Sequence, residues 1–523
     1  MPYNRKIVII FRFLLAGWLM VAGIYCGNGR EHSFPEESKI TVFHGGDEWS
    51  LGPQGVGDTA QLIYLPLVTL DEQGEIHGCL AERWEHSPDY RDWTLYLRKD
   101  VFWHDGVPVT ASDIKYTVEL QTKPYVGWEA KIYESITVLD DFSLHFHLNR
   151  PAILDAWYGW ISSYPSHHLN DLDDQNWYSW DFWKQPVGNG PYRYVRHVPK
   201  IMIELESNPD YYRGEPRIKQ VILKFGKAGM LNELLSGNAD VITNVNPIDV
   251  YKLKDNPDFR TYYQMGHEWH NAIYWNQNNP LFKDAIIRKA ITLSIDRREL
   301  AKVLNYPDDI PIFDVIFSER QFRRSDMMEP LPYDPAQAKK LLAESGWQDT
   351  SGNGVRERDG KDFIFTAIVE SGNVLEQTAI YVQQCLRRIG IRMEIQMLDV
   401  NLARNRLRTG QCDAAFSEFR NGIGGGLHGY LKYFGENSPI GYRRQEVLEF
   451  INSFRDKELL LDEVEVDKLY RNIMPIIKED LPLTFLSPSI QYYVVKSNIK
   501  GLKSPFRGNP ILFMEDLWIE EEK

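Results

Sequence analysis

Cysteine is scarce in this 523-residue chain, with only Cys26, Cys79, Cys385 and Cys412, and none belongs to a Cys-x-x-Cys pair. That spacing argues against a structural zinc ribbon or a dithiol redox centre. It predicts buried free thiols, with a Cys385–Cys412 bridge as the alternative. Positive charge is also in deficit. The 59 Lys and Arg stand against 73 Asp and Glu, a net charge of −14, and a nucleic acid would select the opposite sign. The hydrophobic fraction of 43% and mean hydropathy of −0.40 fit neither a polytopic membrane protein nor a disordered chain. The length predicts about three domains.

Recognised reaction chemistry is missing too. No Ser/His/Asp, Cys/His or paired-carboxylate constellation stands out, and His104, Asp105 and Ser112 read as scattered turn and helix-start residues. Gly424-x-Gly426-x-x-Gly429 has the glycine spacing of a dinucleotide loop, yet Gly435 and Pro439 break the helix that should follow. His267-Glu268-Trp269-His270 has Asn271 where a zinc protease needs its second histidine. Asp349-x-Ser351-x-Asn353-Gly354 copies half of a calcium loop, but Gly360 stands where the bidentate Glu belongs. The expectation is a protein that is not an enzyme and holds neither cofactor nor metal.

Aromatics, by contrast, are abundant: 13% of residues, including 15 Trp and 28 Tyr, enough to line a binding cleft or to thicken the cores. The N-terminus is distinctive as well. Arg5 and Lys6 precede an apolar run, Ile7 to Ile24, that closes on Cys26 before a polar stretch. Residues 1–26 therefore read as a secretory signal. A Cys at the end of such a run resembles a bacterial lipoprotein signal, with Cys26 as the lipidated residue, although Tyr25 occupies a small-residue position. An uncleaved anchor and ordinary cleavage are the alternatives, since about 18 apolar residues can span a bilayer. All three place the folded part outside the cytoplasm.

Downstream of a polar linker, short strands alternate with amphipathic helices. Val221 to Phe225, a helix from Met230 to Leu235 closed by Gly237, and Asp240 to Thr243 form a βαβ unit. Phe363 to Val369, a helix from Leu375 to Ile389 ended by Gly390, an alternating strand through Ile391, Met393, Ile395 and Met397, a helix from Asn401 to Thr409, and Cys412 to Phe419 form βαβαβ. Asp284 and Asp334-Pro335 begin two further helices. Two such assemblies predict two α/β lobes, with a third, mixed module in Thr41 to Trp183.

Ligands of open parallel sheets bind beyond the carboxyl ends of the strands. The loops selected by that rule are Asn244-Val245-Asn246-Pro247 and Arg420-Asn421-Gly422-Ile423-Gly424-Gly425-Gly426. Phe419 could lend a ring face and Arg420 a fixed positive charge; alternatively Phe419 is core and Arg420 pairs with a surface acid.

Five motifs in order then resemble one family. Leu80-Ala81-Glu82-Arg83-Trp84 and Trp93-Thr94-Leu95-Tyr96-Leu97-Arg98-Lys99 lead into Trp103-His104-Asp105-Gly106. Pro186-Val187-Gly188-Asn189-Gly190-Pro191-Tyr192, Asn208-Pro209-Asp210-Tyr211-Tyr212, Ile287-Arg288-Lys289-Ala290 and Asp334-Pro335 with Ala338-Lys339 follow. Together they resemble the extracytoplasmic solute-binding proteins of ABC transporters, family 5, the group with oligopeptide, dipeptide and nickel binders.

The resemblance implies an α/β, two-lobed periplasmic-binding-protein-like fold of type II with an extra domain inserted in the first lobe. It sets boundaries near 34–60, 186–265 and 488–523 for the first lobe, 61–185 for the inserted domain and 266–487 for the second lobe. It further implies a monomer that captures a small organic solute by hinge closure and delivers it to ABC permease subunits in the membrane. Peptide binders of the family carry an Asp after the strand matching Cys412 to Phe419, where it pairs with the peptide's amino terminus. Here Arg420-Asn421-Gly422 has no acid, and a cation would repel an ammonium group by about 1–4 kcal/mol in a partly dry site. The N-terminal loop Asp47-Glu48-Trp49-Ser50 also departs: its acids, Asp47 among them, could substitute from the other lobe, and Trp49 could stack on a ring. Peptide is the default ligand and an oligosaccharide the alternative. A hydrolase, and a sensory or adhesion module without a transporter, are the rivals from other classes.

Overall fold

The computed structural model describes residues 38–45, 58–70, 76–121, 133–149, 151, 163–170, 179–226, 229–308, 310, 312–314, 329–371, 374–420, 433–455, 463–503 and 514–520. Strand β1 is Lys39–Gly45. Four strands, β2 (Ala81–His86), β3 (Asp92–Leu97), β4 (Tyr133–Asp140) and β5 (Ser143–Leu148), pair with one another and, among the described residues, with no other strand, as an antiparallel sheet in the order β2-β3-β5-β4. In β3 the buried Trp93, Leu95 and Leu97 alternate with half-exposed residues, the signature of a sheet covered on one face.

The remaining long strands join β1 in one ten-stranded sheet. They are β6 (Tyr192–Val198), β7 (Met202–Ser207), β8 (Gln220–Gly226), β9 (Val241–Thr243), β10 (Phe259–Trp275), β11 (Ile364–Glu370), β12 (Arg392–Leu398), β13 (Ala414–Arg420) and β14 (Leu483–Lys496). Their order is β12-β11-β13-β10-β14-β9-β1-β8-β7-β6. The βαβ unit of residues 220–246 forms with its helix at Met230–Leu235, but its strands are not neighbours. β1 lies between them, parallel to both β8 and β9. In the other half, β11 is parallel to β12 and to β13, as the βαβαβ pattern predicts, with helices at Val374–Arg388 and Val400–Arg408.

Local chemistry explains the helix starts. Asp284, Asp296, Asp334 and Asp399 each accept a backbone N–H in the first turn of the following helix, satisfying donors that the helix itself leaves open. The thiols of Cys79, Cys385 and Cys412 are free, so the Cys385–Cys412 bridge does not form. Burial pushes the Cys79 thiol up to about 12, which leaves it inert as a nucleophile. Among the described residues, no helix is long and apolar enough to cross a membrane.

Among the described residues, three apolar cores hold these layers. The first combines the small sheet with β1, β6, β7 and β8, through Trp93, Phe146, Tyr192, Leu205 and Leu223. The third lies under β11, β13 and the helices of residues 400–480, through Ala415, Leu407, Ile451 and Ile477. The second draws on both halves, placing Phe43 and Ile242 in one cluster with Trp275, Phe365 and Leu386. The halves are thus fastened by one shared core and are separate in the other two.

Candidate functional site

Two strands, β10 and β14, run through both halves and pair antiparallel along most of their length. From Phe259 to Gly266, β10 pairs with Lys496 to Ser489; the next pair is His270 with Pro488. Residues 267–269 therefore have no partner on β14, although Pro488 and Ser489 are consecutive. This interruption weakens the ladder in mid-strand, and Pro488 brings no N–H to it.

Strand polarity places the ligand-bearing edges. β9 runs from Val241, opposite Val495, to Thr243, opposite Tyr493, so its carboxyl end heads toward the interruption. β13 runs from Ala414, opposite Trp275, to Arg420, opposite Trp269, and heads toward the same place from the other side. The carboxyl edges of the two parallel sets therefore face each other across the middle of β10 and β14, the position at which open α/β sheets take ligands.

On the first edge, Asn244 is exposed with φ of +56°, and its side-chain Nδ2 donates to the carbonyl of Gly45 at 2.6 Å. It ties the ends of β1 and β9 together. Asn246 is also exposed, but its Oδ1 accepts the Ile248 N–H at 3.0 Å and caps the helix Pro247–Leu253. Both residues reach the edge, each with one polar atom committed to the fold. His44 Nδ1 lies 2.8 Å from Thr243 Oγ1 at the end of the same pair of strands.

On the second edge, Phe419 is fully buried, 5.3 Å from Phe485 and 6.5 Å from Tyr274 between ring centroids. It is a core residue, and the expected ring face is turned away from solvent. Its neighbour Glu418 is the side chain that the sequence reading passed over. Glu418 is half-buried, and Ser489 Oγ on β14 donates to its Oε1 at 2.8 Å. A second acid, Glu370, ends β11 and is almost fully buried. Arg404 binds it with two N–H groups at 3.2 and 3.1 Å, and the Ser417 hydroxyl donates to it as well. Burial works against the charge of Arg404, but the hydrogen bonds and charge of Glu370, joined by Glu418 and Tyr433, together raise the guanidinium pKa. Glu370 is thereby paired inside the protein, and the half-buried Glu418 also acts on the charge of Arg404.

On the crossover strands, Asn271 Nδ2 donates to Ser487 Oγ at 3.1 Å. Tyr263 is 43% exposed, with its ring 6.2 Å from that of Tyr492. Arg420 pairs through its backbone with Trp269 at the interruption. Asp47, Trp49, Asn421 and Cys26, and the glycines of the Gly424–Gly429 pattern, lie outside the described residues. The sequence signal for Glu370 and Glu418 was present: each is an isolated acid near the carboxyl end of an apolar strand.

The profile of the bacterial extracellular solute-binding proteins, family 5 Middle, matches residues 75–440, more than half of the sequence. The chain belongs to that family. Its relatives include the oligopeptide-binding protein AppA of Bacillus subtilis, 26% identical over 478 residues, with 85% of this family 5 chain and 84% of AppA covered. The solved structure of AppA from Bacillus subtilis in complex with a nonapeptide superposes with a TM-score of 0.74 at 23% identity, covering 93% of this chain and all of that one. NikA from Brucella suis in complex with Fe(III)-EDTA gives 0.80 at 19% identity, over 92% of this chain and all of NikA. The fold is accordingly the two-lobed α/β fold of family 5. Its members are solute-binding proteins rather than enzymes, and the family is extracellular.

Proposed function

We propose that this family 5 protein captures a peptide-like solute between the facing strand edges and hands it to ABC permease subunits in the membrane. Closure would occur about the interrupted middle of β10 and β14, with the first lobe at 34–60, 186–265 and 488–523 and the second at 266–487. The observation that carries the reading is the convergence of two carboxyl edges on a half-buried carboxylate, Glu418, hydrogen-bonded to the crossover strand. Glu418 is proposed to receive the ligand's ammonium group, the task that the missing acid after β13 leaves open. Asn244, Arg420, Asn421, Asp47 and Trp49 would rim the cleft, with Arg420 suited to a carboxylate at the ligand's other end. A protein bearing a lipid at Cys26, or held by an uncleaved N-terminal apolar anchor, would stay beside its permease. The partially exposed Tyr263 favours one rival, an oligosaccharide, because an aromatic face can stack on a sugar ring.

Calorimetry and thermal shift against short peptides and glycans test this. Peptides at 100 times Kd are expected to stabilise the protein by about 2.7 kcal/mol, with no response to glycans. Glu418→Gln should weaken free-amine peptides about tenfold and leave N-acetylated ones unchanged, the loss of one partly solvated charge pair. A shift with glycans alone would replace the peptide reading. Arg420→Asp with unaltered binding would remove Arg420 from the cleft.

A further inference from the structure

Away from the strand edges, three side chains that look scattered in the sequence meet at one point. Asp105 lies in the turn after Trp103, and His167 and His168 lie on the short helix Ser166–Leu169. His167 Nε2 is 2.9 Å and His168 Nε2 2.8 Å from the same oxygen, Asp105 Oδ2. The ligand atoms of all three lie within 4.8 Å of one another. Their side chains are 30–40% exposed, so water has access to the point where they converge.

The two segments are held together beneath this cluster by a buried carboxylate. Asp113 Oδ1 accepts from Ser166 N at 2.9 Å and from Ser166 Oγ at 2.6 Å, which fixes the start of the histidine helix. Its Oδ2 accepts from Thr110 N at 2.9 Å and from the Trp103 indole at 3.4 Å, which fixes the base of the Asp105 turn. Within the turn, Asp105 Oδ1 accepts the Val107 N–H at 3.2 Å, leaving Oδ2 aimed at both imidazoles. Gly106 has φ of +88°, a conformation that glycine adopts without a Cβ penalty. His104 faces the other way: its Nε2 lies 3.1 Å from the Gly190 carbonyl, and its Nδ1 accepts the Gly188 N–H at 3.2 Å. It braces the turn and is no part of the cluster.

From this geometry we propose that Asp105, His167 and His168 form a binding site for a divalent transition ion of the zinc class. Two imidazole nitrogens and one carboxylate oxygen suit Zn²⁺, which takes such ligands in threes and fills the remaining position with water. Mg²⁺ and Ca²⁺ demand mostly oxygen and are disfavoured. Binding requires that each imidazole carry its proton on Nδ1, presenting the Nε2 lone pair to the ion in place of an N–H to Asp105, and that the three side chains spread slightly from hydrogen-bond to ligand spacing. None of the three residues belongs to β9, β10, β13 or β14, so the proposal does not depend on the assignment of the solute cleft.

The test is calorimetric titration of the full chain, stripped of metal with a chelator, with ZnCl₂, and in parallel with MgCl₂ and CaCl₂. The unsubstituted protein is expected to bind one more equivalent of zinc than the His167→Ala/His168→Ala variant, and to gain a zinc-dependent rise in melting temperature that the variant lacks. Asp105→Asn keeps the shape of the turn and should weaken zinc at least tenfold, so the proposal stays testable if the double variant folds poorly. Equal zinc stoichiometry and affinity in all three proteins would overturn it. Magnesium or calcium bound as tightly as zinc would overturn the imidazole-based assignment.

Discussion

Asp314→Ala is expected to destabilise the protein by about 3–5 kcal/mol, the largest effect of any single substitution considered, because it strands a buried cation. Asp314 and Arg297 are an ion pair with side chains 2% and 4% exposed and a contact of 2.6 Å. The same guanidinium donates to the carbonyls of Phe313 at 3.1 Å, Phe485 at 3.2 Å and Leu331 at 2.8 Å. Asp314 in turn accepts the Leu331 N–H. One pair therefore joins the helix Arg297–Val303, the segments around 313 and 331, and the start of β14. Without the carboxylate, Arg297 keeps its carbonyl partners and loses the one charged partner it has among the described residues. Denaturant unfolding checks the prediction: a loss below about 1 kcal/mol would mean that water reaches Arg297 and the pair is no anchor. Replacing both partners by apolar residues should cost less than removing Asp314 alone.

The second large effect is a pH dependence centred on Glu515. Burial raises its pKa from 4.5 to about 7, against the opposing pull of Arg213 at 2.9 Å. Its Oε2 has no hydrogen-bond partner among the described residues. A carboxyl whose pKa is raised by folding binds its proton more tightly in the native state. Its contribution to stability is complete below pH 4.5 and declines as pH rises toward about 7, by about 3 kcal/mol in total. Glu515→Gln cannot titrate, so the stability difference between variant and parent should shift in the variant's favour by about that amount between pH 4.5 and pH 8. Unfolding free energies across that range are the measurement. A difference independent of pH would show that Glu515 is solvated as an ordinary carboxylate.

Much of this fold can be read from local signals. The helix at Met230–Leu235 and the caps at Asp284 and Asp334 are where glycine, aspartate and apolar spacing place them, because capping and periodicity act over a few residues. The entry of β1 between β8 and β9 is not local. It joins segments about 180 residues apart, and nothing in the βαβ stretch marks the vacancy. The facing edges are legible from strand polarity, and of the two alternatives the sequence leaves open for Phe419 the structure shows the core one: consecutive side chains in a strand point to opposite faces, so Phe419 packs inward and Glu418 takes the other face. Asn246 shows the same limit, because a residue that caps a helix and one that offers its amide to a ligand look alike in sequence. The Asp105 cluster lay hidden for a simpler reason. Its members are separated by about 60 positions and are brought together by Asp113, a residue with no signature of its own.

The apolar cluster that contains both Phe43 and Trp275 has a consequence for how the molecule comes apart. Neither jaw owns a complete interior, so severing the chain between them would leave two fragments with water against surfaces meant to be dry. Heat should accordingly melt both jaws in a single calorimetric transition, and cargo gripped at the rims should raise the whole transition rather than part of it.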